Sequence, residues 1–395
     1  MKIAWFANID FQEGNAANAR IRAFAHGLKK SNHAVFVFIL SSTQFNAGGT
    51  NKKYKGFFHG IYFNYLSGST LWPVSSLSRI INYQKAMFNA CLLLVKKRKY
   101  FNSVLLYNPR FIFFFPIYVT CKVLQLPVII EKTELEESIQ TDKLVHKLIR
   151  FTDSFDKFLF KHFCTHLIVI SYRLSQFYAK YYPQDKITVI PAIVDTSRFA
   201  TNTPKNNKYT IGYLGSFAQK DNVKGIIHSF SLAVKEMPQL KLKLIGFNNQ
   251  KKTIDQLIHR LGLDDSVEQS GLIGYENVTD WLQKCDLLIS YRNSEAYSTF
   301  GFPTKLVEYL ATGIPVICSN IGDINHYLQH NINAYLVEPE DDSSLKNAII
   351  DRYKHYQHFN TIGSNGRLIA ETFFDYKLYM DKLNHLVISS VNGVK

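Results

Sequence analysis

The chain has 395 residues, enough for two domains of ordinary size, and its 46% hydrophobic and 14% aromatic content excludes a disordered protein. The formal net charge of +15 is confined to the first half: residues 1–200 contain 26 Lys and Arg against 11 Asp and Glu, whereas residues 201–395 contain 20 of each. Residues 51–100 hold nine basic side chains and no acid, which indicates either a solvated surface or one that attracts nucleic acid, an anionic membrane or a lipid diphosphate. The five scattered cysteines lack a C-x-x-C pair and are typical of reduced thiols in a cytosolic protein.

The first 40 residues predict a strand, a helix and a second strand. The opening MKIAWFANID turns polar too early for a signal peptide and is typical of a buried strand over 2–8. A loop and helix follow over 14–31, and the next strand covers 33–40. Within the loop, Asn18 has a residue type that caps helices, whereas we expect Asn15 to contact a ligand.

A helix rich in apolar residues is predicted over 75–100, ending in Lys96, Lys97, Arg98 and Lys99. Four cations in a last turn complement the helix dipole, and they equally suit peripheral attachment to an anionic bilayer; both interpretations stay open. The apolar run over 111–130 is interrupted by Pro116 and Lys122, so we do not expect it to span a membrane.

Strands and helices alternate through the rest of the chain. Strands over 103–107, 127–131, 166–170 and 186–190 predict a doubly wound parallel sheet. Four acids lie at or just after the end of the strand over 127–131: Glu131, Glu134, Glu136 and Glu137. They either face a ligand or belong to the solvated first turn of a helix. Residues 201–208 indicate a linker, and strands over 209–214, 242–246, 267–271, 286–290, 315–318 and 334–337 predict a second sheet.

Residues 292–320 predict a loop, a helix and a buried strand, with the sequence RNSEAYSTFGFPTKLVEYLATGIPVICSN. Pro303 and Thr304 open the helix, and Gly313 ends it. Gly301 lies just before the helix, where free backbone N–H groups and the positive end of the dipole form an anion site. Glu308, one turn inside, is placed to accept hydrogen bonds from a sugar hydroxyl, although the same residue in isolation would be an ordinary solvated glutamate.

Part of this segment resembles the donor-binding signature of the family-4 retaining glycosyltransferases, which have the GT-B fold: FGFPTKLVEYLATGIPVI. The resemblance implies that Glu308 binds the ribose hydroxyls of a nucleotide-sugar, and that residues 300–304 offer backbone N–H groups to its diphosphate and sugar. The family often carries two glutamates in an E-x7-E pattern, and Phe300 occupies the first position here. The contact of that first glutamate is left unassigned, because Glu295 has the wrong spacing to replace it.

In the family, a basic residue after the first strand of the second domain and a lysine before a glycine clamp the diphosphate. Lys224 matches the lysine, but Ser216 replaces the basic residue, so Lys305 or Arg292 must supply the second cation unless they are surface charges. The implied catalytic residues are Glu308 and Lys224. The implied donor-binding residues are Gly215, Ser216, Arg292, Phe300, Gly301, Phe302, Pro303, Thr304, Lys305 and Ile273, the last near the nucleotide base. Gly14 and Asn15 fall in the loop that contacts donor phosphate or acceptor.

The resemblance also implies the architecture: an α/β GT-B protein of two Rossmann-like doubly wound domains facing a cleft. We expect an acceptor-side domain at 1–200 and a nucleotide-sugar-binding domain at 201–373. A C-terminal helix at about 374–395 is expected to pack back on the first domain.

The implied activity is transfer of a hexosyl or N-acetylhexosaminyl group from a UDP- or GDP-linked donor to an acceptor hydroxyl. We expect retention of anomeric configuration, no metal, no cofactor and no nucleic acid, in surface polysaccharide or glycolipid assembly. The acceptor would be a saccharide or lipid-linked, and the chain cytoplasmic with peripheral contact at the inner face of the cell membrane. The alternatives are a GT-B epimerase that acts on a nucleotide-sugar alone, and a non-catalytic partner subunit, which the departures at Phe300 and Ser216 keep open.

Overall fold

The structure is a computed structural model that describes residues 1–11, 16–42, 53–135, 157–158, 160–199, 209–246, 250–355 and 360–392. Gly14, Asn15, Glu136, Glu137 and the linker expected at 201–208 lie outside the described residues. The chain divides into two compact units. Unit 1 comprises Met1–Pro191 and Tyr376–Lys395, and unit 2 comprises Ala192–Asp375.

Unit 1 is built on an eight-stranded sheet in the order β3-β4-β2-β1-β5-β6-β7-β8. Its strands are β1 Lys2–Ala7, β2 Ala34–Ile39, β3 Lys55–Phe58, β4 Ile61–Tyr65, β5 Ser103–Tyr107, β6 Val128–Lys132, β7 His166–Val169 and β8 Ile187–Val189. Every neighbouring pair is parallel except β3 with β4. Its helices include α1 Ala16–Lys30, α2 Ser76–Lys96, α3 Phe111–Val123 and α4 Tyr172–Tyr178. The inner strands are continuously apolar because helices cover both faces of a parallel sheet.

The edge hairpin β3–β4 is absent from the sequence-based prediction. His59 and Gly60 connect its strands with φ of +48° and +74°, and Phe58 pairs with Ile61 across the turn. Two successive left-handed residues are what a tight type I′ hairpin turn requires. The glycine and the flanking aromatic residues were the available signal.

Unit 2 is built on a six-stranded, entirely parallel sheet in the order β11-β10-β9-β12-β13-β14. Its strands are β9 Thr210–Leu214, β10 Lys241–Ile245, β11 Val267–Ser270, β12 Leu287–Ser290, β13 Val316–Ser319 and β14 Tyr335–Val337. Its helices include α5 Val223–Glu236, α6 Lys251–Arg260, α7 Val278–Gln283, α8 Ala296–Phe300, α9 Thr304–Ala311, α10 Asp342–Lys354 and α11 Asn360–Ile369. The strands predicted from the sequence in both halves are all confirmed, with ends displaced by at most one residue.

The unit boundaries fall at 191 and 375 rather than at 200 and 373. Residues 192–199 belong to unit 2 because Val194 forms a β-bridge with Asp375, and the Thr196 hydroxyl donates to the Asp375 carboxylate. Arg367 Nη1 also donates to the Phe199 carbonyl oxygen at 2.9 Å. These contacts fasten the start of unit 2 to its end.

The last helix, α12 Met380–Asn392, belongs to unit 1 and packs on α1. Gly27 of α1 allows the close approach, because a Cβ there would lie 1.5 Å from Met380 Sδ. His33 Nε2 lies 2.6 Å from Asn384 Oδ1 and adds a polar contact between the same two regions.

Two local expectations for unit 1 are wrong. Asn18 lies inside α1 instead of capping it, and its side-chain amide donates to the Asp10 carbonyl at 3.1 Å and to the Phe11 carbonyl. Helix α2 ends at Lys96, so Lys97 is the C-cap and the other two cations follow the helix. Across the described ranges, no helix combines the length and the hydropathy needed to cross a membrane. All five cysteines are free thiols, and four are buried.

Candidate donor-binding site

The segment 292–320 begins with a loop held tightly by β13. The Arg292 N–H donates to Ser319 Oγ at 2.8 Å, and Ser319 Oγ donates to the Arg292 carbonyl at 2.9 Å. The rest of the predicted loop contains the short helix α8, which corrects the expectation. The Glu295 carbonyl accepts the N–H groups of Ser298 and Thr299 at 2.9 and 3.0 Å, which start that helix. Phe300 is therefore the last residue of α8.

Helix α9 begins at Thr304, with Pro303 as its N-cap rather than inside its first turn. Gly313 follows the helix with φ of +74°, which confirms the predicted glycine stop. The Phe302 side chain is buried against Tyr327 and Phe374, with ring centroids 5.6 and 5.4 Å apart. Phe302 therefore anchors the turn through its ring, and only its backbone is left to face a ligand.

Two residues of α9, four positions apart, hold the helix against the end of β9. The Tyr309 hydroxyl donates to the Leu214 carbonyl at 3.0 Å and accepts the Leu214 N–H at 2.8 Å. Lys305 Nζ lies 3.0 Å from the Tyr213 hydroxyl. Residues at i and i+4 share one helix face, so this face fixes α9 relative to the loop that follows β9.

A buried acid, Asp221, collects the charges of this region. Lys305 Nζ lies 2.7 Å from its carboxylate, Arg292 Nε lies 3.9 Å away, and the Tyr213 hydroxyl donates to it at 3.1 Å. Burial alone would raise the pKa of Asp221, but Lys305 and Arg292 outweigh burial and hold that pKa below its usual range. Lys305 and Arg292, expected to bind a diphosphate directly, are thus both turned toward Asp221.

The loop after β9 passes directly over these charges. A Cβ on Gly215 would lie 2.3 Å from Lys305 Nζ and 2.5 Å from the Tyr213 hydroxyl. From the other side, Gly246 follows β10 with φ of +137°, and a Cβ there would lie 1.7 Å from the Gly215 carbonyl oxygen. Ser216 is exposed at the tip of the loop. Glycine at 215 and 246 therefore lets main chain, rather than side chains, cover the buried cations.

Lys224 lies in the first turn of α5 and is exposed. Asn222 caps that helix with φ of +40° and accepts the Gly225 N–H at 3.2 Å. Gly225 lets the turn pack closely, since a Cβ there would lie 2.9 Å from the Tyr291 ring. Among Lys224, Arg292 and Lys305, the exposed cation is Lys224.

The candidate residues share one edge of the unit 2 sheet. Gly215, Arg292 and Gly271 follow the carboxyl ends of β9, β12 and β11, and open α/β sheets bind their ligands at this edge. Ile273 is half-buried in the segment after β11. Glu308 is half-buried in α9. It lies four residues after Thr304, so the two residues share one face of the helix.

Sequence reasoning missed Asp221, Tyr213 and Tyr309. Asp221 sits in a Lys-Asp-Asn run before a helix, which resembles an ordinary cap, and its cationic partners lie more than 70 residues away. Tyr309 is adjacent to Glu308 in the matched motif, but the motif itself indicates no role for it. Within the ranges that the structure describes, no group of three or more His, Cys, Asp or Glu residues is placed to hold a metal ion.

Comparison with known proteins shows a family match over part of the chain and a fold shared over all of it. Residues 194–368 match the family model described as glycosyl transferases group 1. The Anabaena HepE structure in complex with UDP and glucose superimposes with a TM-score of 0.71 at 17% identity, covering 100% of both chains. The fold is GT-B. The expected architecture of two Rossmann-like units is therefore confirmed.

Curated relatives match over a shorter stretch. N-acetyl-alpha-D-glucosaminyl L-malate synthase of Bacillus anthracis is 27% identical over 155 residues, covering 39% of this chain and 39% of the relative. The capsular polysaccharide biosynthesis glycosyltransferase CapM of Staphylococcus aureus is 23% identical over 186 residues, covering 46% of each protein. The aligned part thus spans less than half of these relatives.

Proposed function

We propose that this GT-B protein is a glycosyltransferase that moves a hexosyl or N-acetylhexosaminyl group from a UDP- or GDP-linked donor to an acceptor hydroxyl, with retention. The observation that carries the proposal is the contact of the first turn of α9, through Lys305, with the Gly215 loop at the carboxyl edge of the unit 2 sheet. The match of residues 194–368 to group 1 glycosyl transferases supports it.

In the proposed complex, Glu308 accepts hydrogen bonds from the ribose hydroxyls. The diphosphate lies against the backbone of Phe302 and the first turn of α9, where N–H groups have no intrahelical partner. The Gly301 N–H is not available for this contact, because it donates to the Tyr297 carbonyl at 3.3 Å. Lys224 contacts the diphosphate directly because it is exposed. Lys305 and Arg292 act from behind the Gly215 loop, as positioning residues whose charges are fixed by Asp221.

The proposed reaction needs no protein nucleophile. The acceptor oxygen forms a bond to the anomeric carbon on the face from which the diphosphate leaves, the bond from that carbon to the phosphate oxygen breaks, and the acceptor proton passes to the departing phosphate. Negative charge grows on the diphosphate, so Lys224 and the α9 N–H groups stabilise the transition state more than the bound substrate. These groups are the basis for proposing that the reaction is metal-independent.

We further propose that the reaction serves surface polysaccharide or glycolipid assembly, with the acceptor handled by the basic unit 1. The relative CapM is named as a glycosyltransferase of capsular polysaccharide biosynthesis, which supports this class of product. Gly14 and Asn15 stay candidates for contacts to donor phosphate or acceptor.

The first experiment measures the thermal midpoint of the purified chain with UDP, GDP and the free nucleosides. Only a ligand that binds the folded state raises the midpoint, and we expect one nucleoside diphosphate to do so in the presence of EDTA. If neither diphosphate shifts the midpoint, the chain is not a competent transferase by itself, and the partner-subunit alternative replaces the proposal.

The second experiment offers UDP-glucose, UDP-N-acetylglucosamine and GDP-mannose with and without a membrane-lipid extract as acceptor source. Transfer that depends on the extract, with an α-linked product from an α-linked donor by NMR, is the expected result. Conversion of a nucleotide-sugar to its epimer without any acceptor would instead establish the epimerase alternative.

A further inference from the structure

Helix α2 has an apolar face that unit 1 does not bury. The residues of α2 that are buried, Ala86, Met87, Ala90 and Leu94, lie together on the opposite side of the helix. Large apolar side chains also recur on the exposed side at spacings of three, four and seven residues: Leu77, Ile81, Phe88, Leu92 and Val95. Leu77 and Phe88 are both 67% exposed. A surface helix ordinarily carries polar residues there, so this stripe has no explanation in the fold itself.

Helix α3 continues the same surface. Its exposed residues include Phe113, Phe115, Val119 and Val123, the last 76% exposed. The two helices are in contact, because the Tyr83 hydroxyl donates to the Phe113 carbonyl at 2.7 Å and the rings of Tyr83 and Phe113 lie 5.3 Å apart. Together, these nine exposed residues of α2 and α3 form what we call the α2–α3 face.

The exposed sets of the two helices adjoin each other. A side-chain hydrogen bond joins Cys91 of α2 to Thr120 of α3. Phe88 and Val95 lie three and four residues from Cys91, and Val123 lies three residues from Thr120, so all three flank this contact. Contiguous exposed apolar patches of this kind mark interaction surfaces in proteins.

The turn that precedes α2 extends the face. Arg79 Nε donates to the Pro73 carbonyl at 2.8 Å, and Nη2 donates to the Val74 carbonyl at 3.1 Å. These bonds hold the turn while the Val74 side chain is 94% exposed. Val74 therefore adds exposed apolar surface near Leu77. Because the turn is already held in place, binding a partner there would lose little backbone conformational entropy.

The charge around the face selects the kind of partner. No Asp or Glu occurs anywhere from residue 14 to residue 130, a stretch that contains 15 Lys and Arg. Exposed cations border the face at Arg79, Lys85, Lys96 to Lys99 and Lys122. An anionic bilayer offers both an apolar layer for Phe, Leu and Val and phosphate groups for the surrounding cations, which is the combination that amphipathic surface helices bind.

We propose that the α2–α3 face docks unit 1 onto an anionic lipid bilayer, with its apolar side chains entering the headgroup region and the bordering cations contacting lipid phosphates. The apolar side chains supply attachment that survives moderate salt, and the cations supply selectivity for anionic lipid. Docking of this kind brings a lipid-carried acceptor to unit 1, but it does not depend on the proposed reaction.

The test is sedimentation of the full chain with vesicles of phosphatidylcholine alone or with 30% phosphatidylglycerol, a composition chosen as the probe. We expect binding to the anionic vesicles only. The variant Leu77→Ser/Phe88→Ser/Val123→Ser should lower the partition coefficient at least tenfold, because all three side chains are exposed and unit 1 should still fold. The matched control, Ile332→Ser/Leu368→Ser, removes exposed apolar side chains from unit 2 and should bind like the parent.

A second variant separates apolar insertion from charge: Lys96→Gln/Lys97→Gln/Arg98→Gln/Lys99→Gln. This glutamine variant should bind anionic vesicles more weakly than the parent at low salt. The vesicle binding that is left should not fall further as salt is raised. The proposal is overturned if anionic vesicles do not bind the parent at low salt, or if the glutamine variant abolishes binding while the serine variant has no effect. It is also overturned if sedimentation velocity shows a parent dimer that the serine variant converts to monomer, because the face then binds a second copy. None of these readouts uses nucleotide-sugar, so their failure leaves the proposed function untouched.

Discussion

Each unit contains a buried ion pair near the carboxyl end of its sheet, and the two pairs differ in what surrounds them. In unit 1, Arg20 of α1 binds Glu131 of β6, and both side chains are buried. Arg20 also donates to the Ile190 carbonyl at 2.8 Å and to the Pro191 carbonyl, so its charge is used entirely by the protein. In unit 2, Lys305 binds Asp221 directly beneath the Gly215 loop, and its side chain stays 14% exposed. The unit 2 pair is therefore covered by glycine main chain, whereas the unit 1 pair is enclosed by its own hydrogen-bond partners.

The pKa shifts of the two acids reflect the same difference. Burial raises the pKa of Glu131, and the single cation Arg20 does not compensate fully. Asp221 faces Lys305 and Arg292 together, which hold its pKa below the usual range despite burial. With two cations and one acid, the unit 2 cluster of Lys305, Arg292 and Asp221 carries a formal excess of positive charge next to the proposed diphosphate position. The unit 1 pair of Arg20 and Glu131 does not.

The largest predicted effect concerns the unit 1 pair. Arg20→Met leaves Glu131 buried without its cation and removes the bonds to Ile190 and Pro191, which should cost about 3–5 kcal/mol of unfolding free energy. Urea denaturation measures this loss, and Arg20→Met/Glu131→Leu should recover much of it because no buried charge is left. At temperatures where the variant is folded, nucleotide affinity should be unchanged. A loss of affinity in folded Arg20→Met would contradict the contrast between the two pairs.

The next effect concerns the unit 2 pair. Asp221→Asn leaves Lys305 and Arg292 without their shared acid, and we expect a loss of about 3 kcal/mol at neutral pH. Because the folded-state pKa of Asp221 is depressed, its stabilisation is present above the unfolded pKa and is lost as pH falls through the folded pKa. The difference between parent and variant should therefore shrink in acid, as thermal midpoints across pH 3 to 7 would show. A constant difference would mean that the carboxylate charge is not what stabilises the site.

A double variant of Asp221 and Lys305 tests whether the Lys305 charge contributes to nucleotide binding or only to the stability of unit 2. Asp221→Asn/Lys305→Met should be more stable than Asp221→Asn, since the uncompensated ammonium is gone. UDP or GDP affinity should nevertheless stay below that of the parent, because the charge behind the Gly215 loop has been removed. If the double variant binds the nucleotide like the parent, then Lys305 has only a structural role.

A smaller effect is predicted for Glu308→Gln, which should leave the thermal midpoint unchanged because the side chain is only half-buried. Loss of a charge-assisted contact to ribose should cost about 1.5–3 kcal/mol, or roughly 10- to 150-fold in affinity for the nucleoside diphosphate. Isothermal titration checks this, with Glu236→Gln at the end of α5 as the control for loss of a helical carboxylate. Equal affinities of Glu308→Gln and the parent would remove Glu308 from the site.

The sequence predicted those features of the fold that depend on residues close together in the chain. Buried apolar runs located the strands that carry the site, and Gly313 located the end of α9. What it did not predict were features that depend on distant partners. The role of Asp221 requires Tyr213, Arg292 and Lys305 to converge, and nothing in its local sequence indicates them. The hairpin at 55–65 was missed because its two strands have only four and five residues, and α8 was missed because it has only five.

The smallest predicted effect distinguishes the exposed cation from the buried ones. In the proposed complex Lys224 contacts the diphosphate, so Lys224→Ala should weaken UDP or GDP binding by about 1 kcal/mol, the scale of an exposed ion pair. The free nucleoside should keep its affinity. Salt should reduce the difference, because an exposed contact is screened. Lys235→Ala is the matched control, since it makes the same substitution at an exposed position of α5 roughly 16 Å along the helix. If diphosphate and nucleoside lose affinity equally in Lys224→Ala, the lysine acts through the fold of α5. If the control weakens diphosphate binding as much, the effect belongs to the general charge of unit 2, and the exposed cation has no special place in the site.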